Sequence, residues 1–224
     1  MLLHIKNLLD SHRVDTVNML LKDAPFVNGK LSAGKEAQRV KNNIELSPQS
    51  QLNQQLNQIV MNSLAQHPRY QAVAFPLKIA GAFYARYTQG MQYGFHVDDP
   101  VMGPMNGRYR ADIATTIFLN SKDDYQGGEL VIRTATGEQS FKPDRGDAII
   151  YPANTWHKVN EVTQGERLVA VTWAQSMVKD AQQRELLYEL GQARDSLLKT
   201  QPDAEETGKI STSYANLLRM WSEV

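Results

Sequence analysis

The chain has 224 residues, 42% hydrophobic and 21% charged, which suffices for one core of ordinary size with room for a small appendage. Its 24 Lys and Arg balance 24 Asp and Glu, so no net field favours nucleic acid or an anionic membrane as a partner. There is no Cys, which excludes disulfides, thiolate metal sites, iron–sulfur clusters and a Cys nucleophile.

The first ten residues lack a basic stretch followed by a long apolar run, so they read poorly as a secretory signal, and the expected location is the cytoplasm. No run approaches the roughly 20 apolar residues needed to span a bilayer. From His4 to about Gln66 the pattern is mainly helical. Leu8, Leu9, Val14, Val17, Leu20 and Leu21 recur at three- and four-residue spacing, and so do Leu52, Leu56, Ile59, Val60 and Leu64. The polar stretch 28–43 between them reads as loop, and Ser47-Pro48 reads as the start of the second helix.

From about Val73 to Gln175 short runs of Val, Ile, Thr and aromatics alternate with turn signals. Strands are expected over 79–87, 113–119, 129–133, 139–141, 147–151 and 167–173, with a hairpin at Ala135-Thr136-Gly137. Such spacing without intervening helices predicts an antiparallel sandwich or jelly roll. Helices return after Val178. Leu186, Leu187, Leu190 and Ala193 form one face, Gln201-Pro202-Asp203 breaks it, and a short final helix carries Tyr214, Leu217, Leu218 and Trp221. The expected class is α+β, with a core domain over 1–177 and a helical extension over 178–224.

Two of the five histidines stand in informative places. In extended backbone His96 and Asp98 project to one face, whereas Asp99 points the other way. His157 closes the run Tyr151-Pro152-Ala153-Asn154-Thr155-Trp156-His157, and antiparallel pairing can bring it beside the first pair. A lone His-x-Asp is common by chance, and a lone His157 is more often a satisfied residue at a core edge; the combination carries the argument. Two imidazoles and one carboxylate on one side of an ion leave positions open, which suits Fe(II) and leaves zinc as a second possibility. Alternation along 167–173 puts Arg167 on one face with Val169, Val171 and Trp173. A guanidinium there needs an anionic partner: a dicarboxylate ligand, or a neighbour such as Glu161 or Glu166.

Residues 85–98, ending in Tyr93-Gly94-Phe95-His96-Val97-Asp98, resemble the prolyl/lysyl-hydroxylase-type (PKHD-type) branch of the 2-oxoglutarate/Fe(II)-dependent dioxygenases. So do 126–130, 146–152, His157, Arg167, 173–178 and 214–221, so the resemblance spans nearly the full length. It implies a double-stranded β-helix (jelly-roll) core and a hydroxylase that couples oxidative decarboxylation of 2-oxoglutarate to succinate with hydroxylation of a substrate. It further implies iron, Fe(2+), on His96, Asp98 and His157, and the far carboxylate of 2-oxoglutarate on Arg167 with help from Tyr87. Tyr93 and Trp173 are then candidates for the substrate side, and L-ascorbate (vitamin C) is an expected requirement. The substrate is a small molecule or a peptidyl group, and a homo-oligomer through the C-terminal helices is open. Two other readings stand beside this one: a cupin-like metalloenzyme, and a non-catalytic iron/2-oxoglutarate sensor.

Overall fold

Pleated segments rich in β-branched and aromatic side chains pack best when one face of each meets another sheet, and the middle of this chain does so. A computed structural model describes all 224 residues. The first part holds β1 (Leu3–Ile5), α1 (Ser11–Leu21), β2 (Phe26–Asn28), β3 (Lys41–Asn42), β4 (Ile44–Leu46), α2 (Leu52–Gln66) and α3 (Pro68–Ala74). Next come β5 (Pro76–Ile79), β6 (Phe83–Tyr87), β7 (Gln92–His96), β8 (Val101–Met102), β9 (Tyr109–Arg110) and β10 (Ile113–Phe118). They are followed by β11 (Tyr125–Gly127), β12 (Leu130–Thr134), β13 (Gly137–Phe141), β14 (Ala148–Pro152), β15 (His157–Val159), β16 (Val162–Gly165) and β17 (Arg167–Ser176). The chain ends with α4 (Ala181–Thr200) and α5 (Glu205–Trp221).

The major sheet runs β1-β14-β10-β17-β6-β4-β2, and β5 pairs with the far end of β17. The minor sheet runs β13-β12-β15-β7-β3. The pairings are antiparallel, and the two sheets form the jelly-roll core expected from the strand pattern. Ala114, Ile149 and Val169 of the major sheet meet Leu130, Ile132 and Val159 of the minor sheet between the layers. Leu168 and Ala170 point the other way, onto a second apolar layer formed with Val14, Val17 and Leu21 of α1 and Leu56, Val60 and Leu64 of α2. Each of the fully buried Val, Leu and Ile side chains contributes about 1.5–3 kcal/mol. Asp10 caps α1, accepting from the Arg13 amide at 2.8 Å.

Several boundaries differ from the sequence pattern. The expected helical start at His4 is instead β1, which pairs with β14; three residues are too few to display a period. Within 28–43 there are two single 3₁₀ turns, and β3 and β4 flank Asn43. Ser47-Pro48 forms a turn ahead of α2, whose N-cap is Gln51. The single strand expected over 79–87 is split, because the chain breaks at Ala80-Gly81 and both halves then pair along the ten residues of β17. The helix α3, with Pro68 in its first turn, was not anticipated.

Gln126-Gly127-Gly128 makes a bulge where β11 meets β16, with φ of +70° and +67° at the two glycines. A Cβ at Gly127 would lie 2.0 Å from the Glu161 carbonyl oxygen. Gly127→Ala is therefore expected to lower stability by at least about 2 kcal/mol, read as a lower denaturation midpoint at unchanged slope.

The C-terminal helices pack on each other and on the core through Phe75, Val178 and Leu187 against Tyr214, Leu217, Leu218 and Trp221. The tail is pinned by the Glu223 amide to the Met177 carbonyl at 2.8 Å and by Arg110 to the Glu223 carboxylate at 3.3 Å. No helix is long and apolar enough to cross a membrane.

Candidate active site

β7 and β15 are neighbours in the minor sheet, and His96 and His157 are register partners across them. Asp98 follows two residues after His96, just past the end of β7. Asp98 Oδ1 lies 3.9 Å from His96 Nε2 and 3.7 Å from His157 Nε2, and the donor atoms of all three residues fall within 4.8 Å of one another. Asp99 also borders the space in front of them but is exposed and outside this group.

The hydrogen bonds around the two rings fix their tautomers. His96 Nδ1 lies 2.8 Å from the Gly94 carbonyl oxygen, and His157 Nδ1 lies 2.9 Å from that of Thr155. A carbonyl only accepts, so each Nδ1 carries a proton, and each Nε2 is the nitrogen left facing Asp98. Burial, with the neighbouring His157 acting in the same direction, lowers the His96 pKa to about 3, which keeps the ring neutral and able to ligate. Burial raises the pKa of Asp98, opposed by His157 and by the indole N–H of Trp173. That indole donates to Asp98 Oδ2 at 2.8 Å, leaving Oδ1 to face the imidazoles. Two imidazoles and a carboxylate converging from one side fit a divalent first-row ion with positions left over. Trp173→Phe is expected to weaken metal binding by about 10–100-fold without unfolding the protein, as measured by Mn(II) titration alongside a thermal melt.

A cavity of about 660 Å³ opens in front of the three residues and is also bordered by Tyr87, Arg167 and Trp173. Arg167 is 1% exposed, and none of its three guanidinium nitrogens meets a hydrogen-bond partner. Its register partner is Tyr87, whose ring lies 5.0 Å from the guanidinium carbon, and the Phe118 ring lies 5.4 Å away. Glu166 is turned outward to Arg86 at 3.3 Å, and Glu161 makes no ion pair with Arg167, so neither acidic neighbour neutralises it. Burial pushes Tyr87 up to about 12 despite the adjacent positive charge, so its phenol stays a hydrogen-bond donor. A buried guanidinium with aromatic neighbours but no anionic partner is costly, and a carboxylate with two oxygens is the ligand its fork fits.

Tyr93 borders the same cavity and stacks on the His96 imidazole, with ring centroids 3.6 Å apart and planes 11° apart. Trp173 meets Phe83 edge-on at 5.7 Å. The structure thus brings all seven residues singled out from the sequence to one cavity. Sequence reasoning missed Tyr151, whose ring lies 5.0 Å from His157, and Tyr125, whose hydroxyl is buried without a partner. It also missed Lys41 and Glu45 in the cavity wall. Tyr151 opens the run that ends in His157 and was within reach; the others carry no local signal.

Comparison with known proteins agrees with this geometry. Residues 82–175 match the family model of the 2OG-Fe(II) oxygenase superfamily, and residues 180–223 match that of the PKHD-type hydroxylase C-terminal domain. A PKHD-type hydroxylase of Thioalkalivibrio sulfidiphilus is 51% identical over 224 residues, covering 100% of both chains. One of Acaryochloris marina is 43% identical over 223 residues, again covering 100% of both. Among solved structures, a Trichoplax adhaerens prolyl hydroxylase in complex with a peptide fragment superposes with a TM-score of 0.56 at 17% identity, over 83% of this chain and 86% of that one. A Pseudomonas putida prolyl-4-hydroxylase gives 0.53 at 16% identity, over 78% and 92%. These two likenesses concern the fold, whereas the full-length relatives decide the family. The chain belongs to the PKHD-type hydroxylases of the 2OG-Fe(II) oxygenase superfamily, and is an enzyme of the 2-oxoglutarate-dependent dioxygenase class.

Proposed function

We propose that His96, Asp98 and His157 are the Fe(II) ligands of this hydroxylase, and that Arg167 with the Tyr87 phenol binds the far carboxylate of 2-oxoglutarate. The observation that carries the reading is a fully buried guanidinium without an anionic partner, in the same cavity as two imidazoles and a carboxylate. When bound, iron and 2-oxoglutarate supply the oxidising power for C–H hydroxylation, the cosubstrate leaving as succinate and carbon dioxide. The protein's own part is placement. The Gly94 and Thr155 carbonyls fix which nitrogen of each imidazole faces the cavity, Trp173 holds one oxygen of Asp98, and Arg167 sets the direction in which the cosubstrate lies. Apolar walls including Leu130, Val159 and Val171 keep water from the reacting centre.

The substrate is a small molecule or a peptidyl group entering past half-exposed Phe83, Val97 and Val101 at the cavity mouth. We take 1–177 as the catalytic domain and 178–224 as an extension that caps it, a division supported by the apolar contact of α4 and α5 with Phe75. The balanced charge supports leaving nucleic acid and membranes out of the partner set, and the reading keeps the enzyme in the cytoplasm. L-Ascorbate belongs to the reading as the reductant that keeps iron ferrous. The test is succinate formation in air with Fe(II), 2-oxoglutarate and ascorbate. Succinate that falls to background on chelating the metal, and that fades early without ascorbate, supports the reading. No succinate together with no 2-oxoglutarate binding overturns it.

A further inference from the structure

Outside the segment that matches the oxygenase family, the N-terminal part places two opposite charges in the cavity wall. β3 belongs to the minor sheet, where Lys41 is the register partner of Tyr93. β4 belongs to the major sheet, where Glu45 is the partner of Ala85. Only Asn43 separates these strands, so the chain steps from one sheet to the other across the edge between β7 and β6. Lys41 and Glu45 are 6% and 7% exposed, both border the cavity, and Lys41 Nζ meets Glu45 Oε1 at 2.5 Å. Ser32 completes the cluster: its hydroxyl accepts from Lys41 Nζ at 2.9 Å and donates to Glu45 Oε2 at 2.6 Å.

A buried pair of this kind adds little net stability, because the cost of removing two charges from water offsets their attraction. Its position is more informative. Lys41 Nζ lies 5.2 Å from the centroid of the Tyr93 ring, within range of cation–π attraction. The same ring lies parallel to the His96 imidazole at 3.6 Å. His96 has one hydrogen bond, from Nδ1 to Gly94, which fixes its tautomer but leaves the plane of the ring to its neighbours.

We propose that Lys41, held by Glu45 and Ser32, is a positioning residue for the metal centre: it fixes the Tyr93 ring against His96 and, through that stack, the direction of Nε2. The inference rests on the reading of His96 as a metal ligand. It assigns a task to the strand-to-strand crossing at Asn43, which lies outside residues 82–175 matched by the oxygenase family model.

The test is Mn(II) binding to the metal-free full-length chain, with thermal melting as the control for folding. The double variant Lys41→Met with Glu45→Met removes both charges together and leaves no lone buried ion. It is expected to melt like the wild type and to bind Mn(II) about tenfold more weakly. Lys41→Arg keeps a cation beside Glu45 and is expected to retain most of the affinity. A double variant that melts and binds Mn(II) like the wild type overturns the proposal, because the pair is then structural only. If the double variant does not fold, Tyr93→Leu decides: it leaves the pair in place and removes the ring, and the same weakening is expected. Unchanged affinity in Tyr93→Leu overturns the proposal. Wild-type protein that binds no Mn(II) removes the metal site and the proposal together, and so is told apart from a failure of the proposal alone.

Discussion

Arg167→Met is expected to stabilise the ligand-free protein against heat while weakening 2-oxoglutarate binding by at least about a hundredfold, or some 2.7 kcal/mol. Both effects follow from one feature. Arg167 is buried to 1% exposure between the rings of Tyr87 and Phe118, with no hydrogen-bond partner for its three guanidinium nitrogens. Carrying such a charge into the core costs several kcal/mol without a ligand, and an apolar side chain of similar length relieves it. With a ligand the balance reverses. Each hydrogen bond from an ionised donor to a carboxylate is worth about 1.5–3 kcal/mol, and a fork supplies two. Arg167→Lys is expected to fall between, because an ammonium cannot reproduce the planar fork. Melting curves and 2-oxoglutarate titrations of the three proteins check this. A methionine variant that melts lower, or binds the cosubstrate as well as wild type, contradicts the assignment of Arg167.

Asp98→Asn is expected to weaken divalent-metal binding by more than about a hundredfold, beyond the 10–100-fold typical of losing a partner outside the ligand shell. The substitution is conservative in shape. An amide oxygen can still accept from the Trp173 indole, so the contact at 2.8 Å survives. What disappears is the anionic donor facing two Nε2 atoms at 3.7 and 3.9 Å. Because burial already raises the carboxyl pKa, the metal-free Asn variant is expected to be at least as heat-stable as wild type. Succinate formation is expected to fall in step with metal occupancy. Mn(II) titration and a succinate assay on one preparation check both, and unchanged metal affinity removes Asp98 from the site.

How much of this was legible in the sequence depends on the length of the element concerned. The His96–Asp98 pair was readable because extended backbone repeats every two residues, and two residues suffice to show it. Arg167 was readable because β17 is long enough for its alternation to separate Val171 and Trp173 from Leu168 and Ala170. That His157 stands directly across from His96 depends on the pairing of β15 with β7 and on the irregularity after His157, which no local pattern encodes. Residues 28–46 were the least readable part. β3 and β4 have two and three residues, below any period, and their Lys and Glu suggest a solvated loop. Lys41 and Glu45 are buried only because the sheets close around them, which is why the cavity wall they form went unseen. The α4–α5 pair read correctly as two helices broken at Gln201-Pro202-Asp203, but Leu186 and Ala193 are exposed rather than on the packed face, and α5 is 17 residues long rather than short.

The shared metal-and-cosubstrate cavity is tested most directly by calorimetric titration of 2-oxoglutarate, without oxygen, into protein with and without Mn(II). One ligand is expected to bridge the ion and Arg167, so affinity should rise sharply when Mn(II) is present and lose that gain in Asp98→Asn. Equal binding with and without the metal, or none in either case, contradicts the account.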